Sequence, residues 1–518
     1  MAQLRLQDVG YSMADTLFAG VTATIGEGDR LGIVGANGGG KTTLLKCMAG
    51  LLEPTEGTIT RPKNARVAYV PQDVPAEWEA QKLTTVLLDA LRPDERDLYS
   101  WRVDLVLDSL HTPDEFRDRT LAELSGGWRR LAMIARAWTI DPDILLLDEP
   151  TTHLDLLKII SLETWLREEV AKVPLVVVSH DRRFLERCTT HTLFLRRGDS
   201  MLFTYPYSRA RQLLAESDRV LEARRDRELK ELQRLRDSAH NLRQIGVNNF
   251  SAAALRKSVQ MSKRAEAAEA SLTDVHVEAR RDIKLASRDT HVKRAIGLKG
   301  VTIGSPVGTS LFYVEKFDIW RGDRVVVLGR NGTGKTCLVK RLKAAFESPD
   351  AGQVGGVTVA PSLKMGYIDQ NMSGLPDEEE IGRYFGSIVG RERATPSLIG
   401  AGFPISEHAQ KIGTCSAGQR ARLVLLLLRI EEPNLYLMDE ATNHLDITGQ
   451  EQLEGEILTH DATAILVSHD RAFVETTGTR FVVVDGGRLF EIASPELFYD
   501  ALALDTEMTT LTKGLSPL

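Results

Sequence analysis

The same glycine-rich loop occurs twice in this chain of 518 residues. Residues 35–42 and 329–336 both follow the pattern Gly-x-x-x-x-Gly-Lys-Thr, each between an apolar run and a stretch with helical periodicity. Such a loop cradles phosphate, because glycines let backbone N–H groups turn inward and the following helix adds positive potential at its N-terminus. The lysine reaches the β- and γ-phosphates and the threonine hydroxyl reaches Mg²⁺. The residues predicted to bind the nucleotide are Gly35, Asn37, Gly38, Gly40, Lys41, Thr42 and Thr43 in the first half and Gly329, Asn331, Gly332, Gly334, Lys335 and Thr336 in the second.

Two adjacent carboxylates follow a further apolar run in each half. They are Asp148 with Glu149, and Asp439 with Glu440. Successive side chains at a strand end point in different directions, so the aspartate can face the metal and the glutamate the attacking water. His180 and His469 end another apolar strand in each half, placed to contact the γ-phosphate or hold the water. An isolated histidine is more often structural, but the repeated Ser-His-Asp-Arg context favours a catalytic role.

The repeat also determines the predicted fold. Short apolar β-forming runs alternate with helical periodicity in both halves, which predicts α/β domains with largely parallel sheets. The chain is too long to form a single core. We predict one domain at residues 1–205, a helical linker at 206–290, a second domain at 291–500 and a C-terminal tail at 501–518 that carries no motif and frays.

The linker differs in composition from the rest of the chain. Residues 208–285 contain no proline and a single glycine, and their leucines recur at roughly helical spacing. Residues 246–251 interrupt this pattern with weak helix formers. We therefore predict two long antiparallel helices with the break at their tip. A flexible linker would be richer in Gly, Ser and Pro.

The formal net charge of −7 conceals a basic linker. Residues 206–293 hold 19 Lys and Arg against 13 Asp and Glu. A basic tip on an acidic protein indicates contact with a polyanion, although a solvated charged helix is the alternative. The tip residues that would contact the charged groups of such a polyanion are Arg243, Arg256, Lys257, Lys263 and Arg264.

Composition excludes several classes of protein. The apolar runs fall far short of the ~20 residues needed to span a membrane, and the N-terminus has no signal-peptide core. The four cysteines are scattered without metal-like spacing, which predicts reduced thiols and a cytoplasmic protein. It also argues against a bound iron–sulfur cluster.

Taken together, the phosphate loop, Gln, Ser-Gly-Gly, Asp-Glu and His resemble the ATP-binding cassette superfamily over essentially everything outside residues 206–293. Two cassettes in one chain, a helical linker and the Thr-Asn-His-Leu-Asp stretch at 442–446 resemble the ABC-F subfamily of ribosome-associated ATPases. The resemblance implies two tandem P-loop cassettes joined by an α-helical hairpin, clamping two ATP molecules with Mg²⁺ within a monomer. It places Gln72 and Gln370 at the metal and the water. It also implies that the signature of one half completes the site of the other: Ser416 and Gly418 at Lys41, and Ser125, Gly126 and Gly127 at Lys335.

Departures from the family pattern predict two unequal sites that both bind ATP. Ala417 puts a methyl group where close backbone approach is expected, so we expect slower hydrolysis at Lys41. Tyr11 can stack on adenine, whereas Ser305 at the equivalent position of the second half cannot.

The resemblance implies that the linker enters the ribosome near the tRNA exit site and contacts rRNA and the P-site tRNA. Phe250 either touches RNA or plugs the junction between the two helices. The chain would act as a general translation factor or as an antibiotic-resistance factor. The alternatives are a tandem ATPase subunit of an importer with separate membrane subunits, and a DNA-associated ATPase.

Overall fold

The structure is a computed structural model and describes residues 3–13, 15–272, 293–348, 355–369, 372, 374–443, 445–459, 462–503 and 515–518. Within these ranges two α/β cassettes are joined by a helical hairpin, which confirms the predicted fold class. None of the helices described here is long and apolar enough to cross a membrane. The four cysteines are free thiols.

Strands and helices alternate in the first cassette, as the apolar patterning predicts. Its elements are β1 (Leu4–Ser12), β2 (Thr16–Ile25), β3 (Arg30–Val34), α1 (Lys41–Ala49), β4 (Glu56–Thr60), β5 (Val67–Val70), α2 (Ala76–Glu79), α3 (Leu83–Leu88), α4 (Arg96–Tyr99), α5 (Trp101–Ser109), α6 (Asp114–Arg117), α7 (Gly126–Thr139), β6 (Ile144–Asp148), α8 (Leu156–Glu168), β7 (Leu175–Val178), α9 (Arg182–Cys188), β8 (His191–Phe194) and β9 (Met201–Phe203). Strands β3, β6 and β7 are buried at every position, as expected of parallel strands covered on both faces.

The linker and the second cassette follow. Their elements are α10 (Tyr207–Asn248), α11 (Ala252–Ala270), β10 (Arg294–Gly304), β11 (Ser310–Trp320), β12 (Arg324–Leu328), α12 (Lys335–Glu347), β13 (Val357–Val359), β14 (Met365–Ile368), α13 (Ile381–Val389), α14 (Arg391–Gly400), α15 (Ala417–Glu431), β15 (Leu435–Asp439), α16 (Ile447–Thr459), β16 (Thr463–Val467), α17 (Arg471–Thr477), β17 (Arg480–Asp485), β18 (Arg488–Ile492) and α18 (Pro495–Ala503).

The two central sheets have the same topology. The strand order is β5-β6-β7-β3-β8-β9 in the first cassette, and β14-β15-β16-β12-β17-β18 forms the corresponding part of the second. All neighbours are parallel except for the antiparallel final strand. The carboxyl ends of the three central strands therefore meet at one edge in each cassette. This edge carries the phosphate loop, the carboxylates and the histidine, His180 or His469, which we call the switch histidine.

The cassettes share a seam of apolar contacts. Leu156 and Ile160 of α8 are buried in a cluster with Leu453 and Phe473 of the second cassette. Conversely, Ile447 of α16 in the second cassette is buried in a cluster with residues of the first cassette and of α10. The two halves of the chain therefore face each other.

The linker forms the predicted antiparallel hairpin. Helices α10 and α11 pack through small side chains, with the Ser258 hydroxyl donating to the carbonyl of Ala239 at 3.0 Å. The break is narrower than predicted, because α10 continues through Asn248 and Ser251 already caps α11 by accepting from the Ala254 amide. The segment assigned to the end of the second helix, residues 273–292, lies outside the described residues.

The C-terminal tail differs from the prediction where it is described. Helix α18 continues to Ala503, so it crosses the boundary placed at residue 501. At Leu518 the backbone amide donates to the Leu489 carbonyl and the carbonyl accepts from the Glu315 amide, both at 2.8 Å. These bonds place it against the second cassette, where it packs on the apolar cluster.

Candidate nucleotide-binding cleft between the cassettes

The seam contains a cleft of about 1550 Å³ that is lined by both cassettes. It brings together most residues predicted to act on the nucleotide. These are Asn37, Gly38, Gly40, Lys41, Thr42, Thr43, Gln72, Ser125, Gly126, Gly127, Asp148, Glu149 and His180 of the first cassette, and Asn331, Gly332, Gly334, Lys335, Thr336, Ser416, Gly418, Glu440 and His469 of the second.

Each phosphate loop wraps around its own lysine. The Lys41 ammonium donates to the carbonyls of Gly35 at 2.9 Å and Ala36 at 3.2 Å. Lys335 makes the same contacts with Gly329 at 2.8 Å and Arg330 at 3.1 Å. This geometry, which the two loops share, leaves the N-termini of α1 and α12 facing the cleft, which suits them to bind phosphate oxygens.

Gly40 shows why the loop needs glycine. Its φ is 87°, in the left-handed region, and a Cβ atom there would lie 2.7 Å from Cδ1 of Phe18. Any larger residue would be strained and would clash, which would displace the start of α1.

Each glutamate is held by the histidine of its own cassette. In the first cassette the His180 amide donates to Glu149 Oε2 at 3.2 Å, and the His180 ring Nε2 lies 3.3 Å from Glu149 Oε1. The corresponding distances for His469 and Glu440 are 3.3 and 3.4 Å. Both glutamates have a positive φ, 52° and 58°, which few non-glycine residues adopt. Strained backbone of this kind clusters at functional sites.

Burial sets the protonation of these groups. It raises the pKa of Glu440 to about 8 and lowers the pKa of His469 to about 4. Burial also lowers the pKa of His180 and raises the pKa of Asp148. The histidines are therefore neutral near pH 7, when each ring has one donor and one acceptor nitrogen.

The aspartate side chains fit a magnesium ion bound with the nucleotide. Asp148 Oδ1 is buried and has no hydrogen-bond partner among the described residues. In the second cassette the Thr336 hydroxyl donates to Asp439 Oδ1 at 3.3 Å. A carboxylate beside a hydroxyl supplies the oxygen ligands that Mg²⁺ prefers.

The cassettes also contact each other at the phosphate loops. The Asn37 amide donates to Asp446 Oδ2 of the second cassette at 3.1 Å. Asp155, the equivalent residue of the first cassette, lines the cleft and acts electrostatically on Lys335. Sequence reasoning did not assign these aspartates to the site, although their place at the end of a repeated Asn/Thr-His-Leu-Asp stretch was a usable signal.

Some predicted residues lie elsewhere. Gly35, Gly329 and Asp439 are not among the cleft-lining residues, although each contacts one that is. Tyr11 does not line the cleft, and its ring stacks on Phe18 with centroids 6.4 Å apart. Gln370 lies outside the described residues. The roles assigned to these residues stay predictions.

Arg130 is a residue that sequence reasoning missed. It lies on α7, and its guanidinium donates to the carbonyls of Pro71, Gln72 and Asp148. It thereby connects α7, the helix that begins directly after Ser125, to the loop that contains Gln72 and to the end of β6. The repeat gave no signal for it, because Ala421 occupies the equivalent position in the second half.

Comparison with known proteins places the chain in a family. A family model described as ABC transporter matches residues 18–152 and 315–443. ATP-binding protein Uup of Caulobacter vibrioides is 33% identical over 498 residues, which is 93% of this chain and 77% of the relative. Ribosome protection protein VmlR of Bacillus subtilis is 30% identical over 93% of this chain and 87% of its own length. ABC transporter F family member 2 of Arabidopsis thaliana is 30% identical over 95% of this chain and 77% of its own length.

A solved structure supports the fold. The archaeal ribosome recycling factor aABCE1, crystallised with a ribosomal stalk protein, superposes with a TM-score of 0.60 and 20% identity over 92% of this chain and 87% of the other. Family match, relatives and cleft geometry agree: the chain belongs to the ABC-F subfamily of ATP-binding cassette proteins and is an ATP hydrolase.

Proposed function

We propose that this ATPase acts on the ribosome in the cytoplasm. Its cassettes close on two ATP molecules, the closed form presents the tip of the hairpin to rRNA and the P-site tRNA, and hydrolysis releases the protein. The observation that carries this proposal is the hairpin itself, which has an exposed basic tip and a base fixed at the seam between the cassettes.

The cleft residues have complementary roles in hydrolysis. Lys41 and Lys335 bind the terminal phosphates, and Glu149 and Glu440 take a proton from the attacking water. His180 and His469 orient the γ-phosphate and that water. Thr42, Thr336, Gln72, Gln370 and the two aspartates would hold Mg²⁺, which neutralises phosphate charge when bound. The signature of each half completes the site of the other, Ser416 and Gly418 at Lys41, and Ser125 with its two glycines at Lys335.

The base of the linker connects the nucleotide sites to the hairpin. The Tyr207 hydroxyl donates to Glu451 at 2.9 Å, and Arg211 pairs with the same carboxylate at 2.8 Å. Glu451 lies on α16, the helix that starts directly after Asp446, which accepts from the first phosphate loop. Because one helix contacts both the loop and the linker, closing the cleft changes the direction of the hairpin. ATP drives this only if it binds the closed state more tightly than the open one.

The linker is long enough to act at a distance. Helix α10 has 42 residues and is therefore about 63 Å long. Arg243, Arg256, Lys257, Lys263 and Arg264 are all exposed near its far end. Exposed Lys and Arg of this kind bind phosphates without regard to base sequence.

Phe250 is at the very end of the hairpin and is 95% exposed. This contradicts the interpretation of Phe250 as an apolar plug between the helices. Its neighbours Ile245 and Val247 are also exposed. An aromatic ring in this position is suited to stack on an unpaired base.

The relatives favour the ribosome as the polyanion, because VmlR is described as a ribosome protection protein and aligns over most of both chains. Protection against a ribosome-targeting antibiotic is therefore the specific role we propose, with general assistance to translation as the second candidate. An importer subunit would instead co-purify with membrane proteins.

The first test traps the closed state. The double variant Glu149→Gln, Glu440→Gln should bind ATP but lose ~10²–10⁴ in turnover, because both general bases are gone. In ATP it should sediment with 70S ribosomes and inhibit translation, and in ADP it should not. A double variant that stays free of ribosomes in ATP would contradict the proposal.

The second test concerns the tip. Changing Arg256, Lys257, Lys263 and Arg264 to Gln in the double Gln background should weaken ribosome sedimentation and make it less dependent on salt. The matched control makes the same charge change nearer the linker base, at Arg219, Arg225, Arg227 and Lys230, and should sediment like its parent. Equal losses for the two sets would show that overall charge, and not the tip, binds the ribosome.

A further inference from the structure

The segments that carry the switch histidines exchange buried ion pairs across the seam. Arg182, the residue two after His180, donates to both carboxylate oxygens of Glu454 in the second cassette, one of them at 3.0 Å. It also lies 3.5 Å from Asp470, the residue after His469. Arg182 therefore reaches the segment that holds the histidine of the other cassette.

The second cassette returns the same contacts. Arg471 donates to both oxygens of Glu163 in the first cassette, one at 3.2 Å, and lies 3.6 Å from Asp181. The side chains of Arg471 and Glu163 are each only 2% exposed. The two halves thus repeat one arrangement, in which an arginine of each cassette lies between a helical glutamate and the aspartate that follows the opposite histidine.

Those aspartates fix the start of the helix after each histidine. Asp181 accepts from the Phe184 amide and caps α9, and Asp470 accepts from the Phe473 amide and caps α17. A cap sets the angle at which the chain enters a helix, and the histidine is the residue immediately before the cap. The arginine guanidinium lies 3.5–3.6 Å from the capping aspartate, which is bonded directly to the histidine along the chain. By holding the aspartate, the arginine therefore sets the orientation of the histidine.

We propose that Arg471 is a positioning residue for His180 and that Arg182 is a positioning residue for His469, each acting from the opposite cassette. Arginine suits this role, because its planar group binds the glutamate through two hydrogen bonds and still presents an N–H to the aspartate. The pairs exist only while the cassettes touch. Each histidine is therefore held in its catalytic position only in the closed state, so that hydrolysis waits for closure. The inference rests on the proposed roles of the two histidines in hydrolysis.

The arrangement makes a crossed prediction that distinguishes positioning from adhesion. If the arginines only hold the cassettes together, loss of either one impairs both nucleotide sites equally. If they position the histidines, loss of Arg471 impairs the site at Lys41, and loss of Arg182 impairs the site at Lys335.

Single-site backgrounds separate these outcomes. Glu440→Gln leaves turnover at the Lys41 site, and Glu149→Gln leaves turnover at the Lys335 site. Into each background we would introduce Arg471→Lys or Arg182→Lys, which keep the charge but lose the two-pronged geometry. Arg183→Lys is the matched control, because Arg183 also pairs across the seam, with Glu475, but is not paired with either capping aspartate.

The expected result is a loss of about tenfold in kcat with little change in KM for the crossed combination. That combination is Arg471→Lys with Glu440→Gln, or Arg182→Lys with Glu149→Gln. For the uncrossed combinations and the Arg183→Lys control, kcat should stay within about twofold of the value for the background variant. Equal losses in both backgrounds, or a rise in KM alone, would overturn the inference.

One more variant distinguishes an error in the proposed role of the histidines from an error in the inference about the arginines. His180→Ala in the Glu440→Gln background should abolish the remaining turnover. If it does not, the proposed role of the histidine is wrong. If it does and the crossed pattern is absent, only the inference about the arginines is wrong.

Discussion

Arg130 offers the sharpest test of how the first catalytic site is held together. Its side chain is 3% exposed and donates to carbonyl oxygens of Pro71, Gln72 and Asp148. Those carbonyls belong to two segments, which carry the cleft residues Gln72 and Glu149. The substitution Arg130→Met preserves much of the side-chain volume and removes all the donated bonds.

The structure sets the size of the expected effect. Hydrogen bonds from a charged donor contribute ~1.5–3 kcal/mol each, so the three together would exceed 4 kcal/mol if nothing opposed them. Burial opposes them, and it lowers the pKa of Arg130 to about 10. We therefore expect a net loss of about 3 kcal/mol, because three carbonyls lose this charged donor and only part of that loss is offset by relief of the burial cost. In a domain of this size that lowers Tm by roughly 6–12 °C.

The assay combines calorimetry with turnover in the Glu440→Gln background, which leaves only the Lys41 site. Arg130→Met should lower both Tm and kcat. Arg129→Met is the control, since Arg129 donates only to the nearby carbonyls of Ala122 and Leu124 and should cost about 1 kcal/mol. If Arg130→Met unfolds within about 2 °C of its parent and keeps its kcat, the guanidinium does not connect these segments.

Three further predictions concern the two sites and the linker. Burial raises the pKa of Glu440 to about 8, so this carboxyl keeps its proton below that pH. In the Glu149→Gln variant, kcat/KM should therefore rise about tenfold from pH 7 to pH 9 and then level off. A flat profile would show that Glu440 is not the base. Ala417→Gly should speed turnover at the Lys41 site, measured in the Glu440→Gln background, by removing a methyl group from the cleft; unchanged turnover would place the asymmetry elsewhere. Glu451→Gln should reduce the ATP-dependent distance change between spin labels on the hairpin tip and the second cassette, because the linker base loses its ionic contact with α16; a full-sized change would rule out this connection.

The duplicated sequence made much of the architecture predictable. A phosphate loop, an Asp-Glu pair and a switch histidine each follow an apolar strand, and parallel strands bring their carboxyl ends to one edge. The sheet orders of the two cassettes and the cleft at their seam agree with that expectation. The hairpin was predictable too, because its leucine spacing and lack of proline leave few alternatives to helix.

What escaped prediction depends on contacts between distant segments. Arg130 has no counterpart in the second half, so comparison of the repeats could not identify it. Arg182 and Arg471 belong to a repeated Ser-His-Asp-Arg stretch, but the sequence does not show that each pairs with a glutamate of the opposite cassette. The predicted break between the two helices is longer than the observed one. Gly246 and its neighbours are weak helix formers, but α10 continues through them. Local propensity is a weak guide at a helix end.

The faces that meet at the seam are chemically alike, since Arg182 contacts Glu454 as Arg471 contacts Glu163. A self-complementary face does not by itself distinguish its own chain from a second molecule. What favours pairing within one molecule is the tether, which keeps the second cassette at a raised effective concentration around the first. Cleaving the tether would remove this advantage, and the separated halves would then exchange partners, forming like and unlike pairs in proportions set by their concentrations and by the affinity of each pairing.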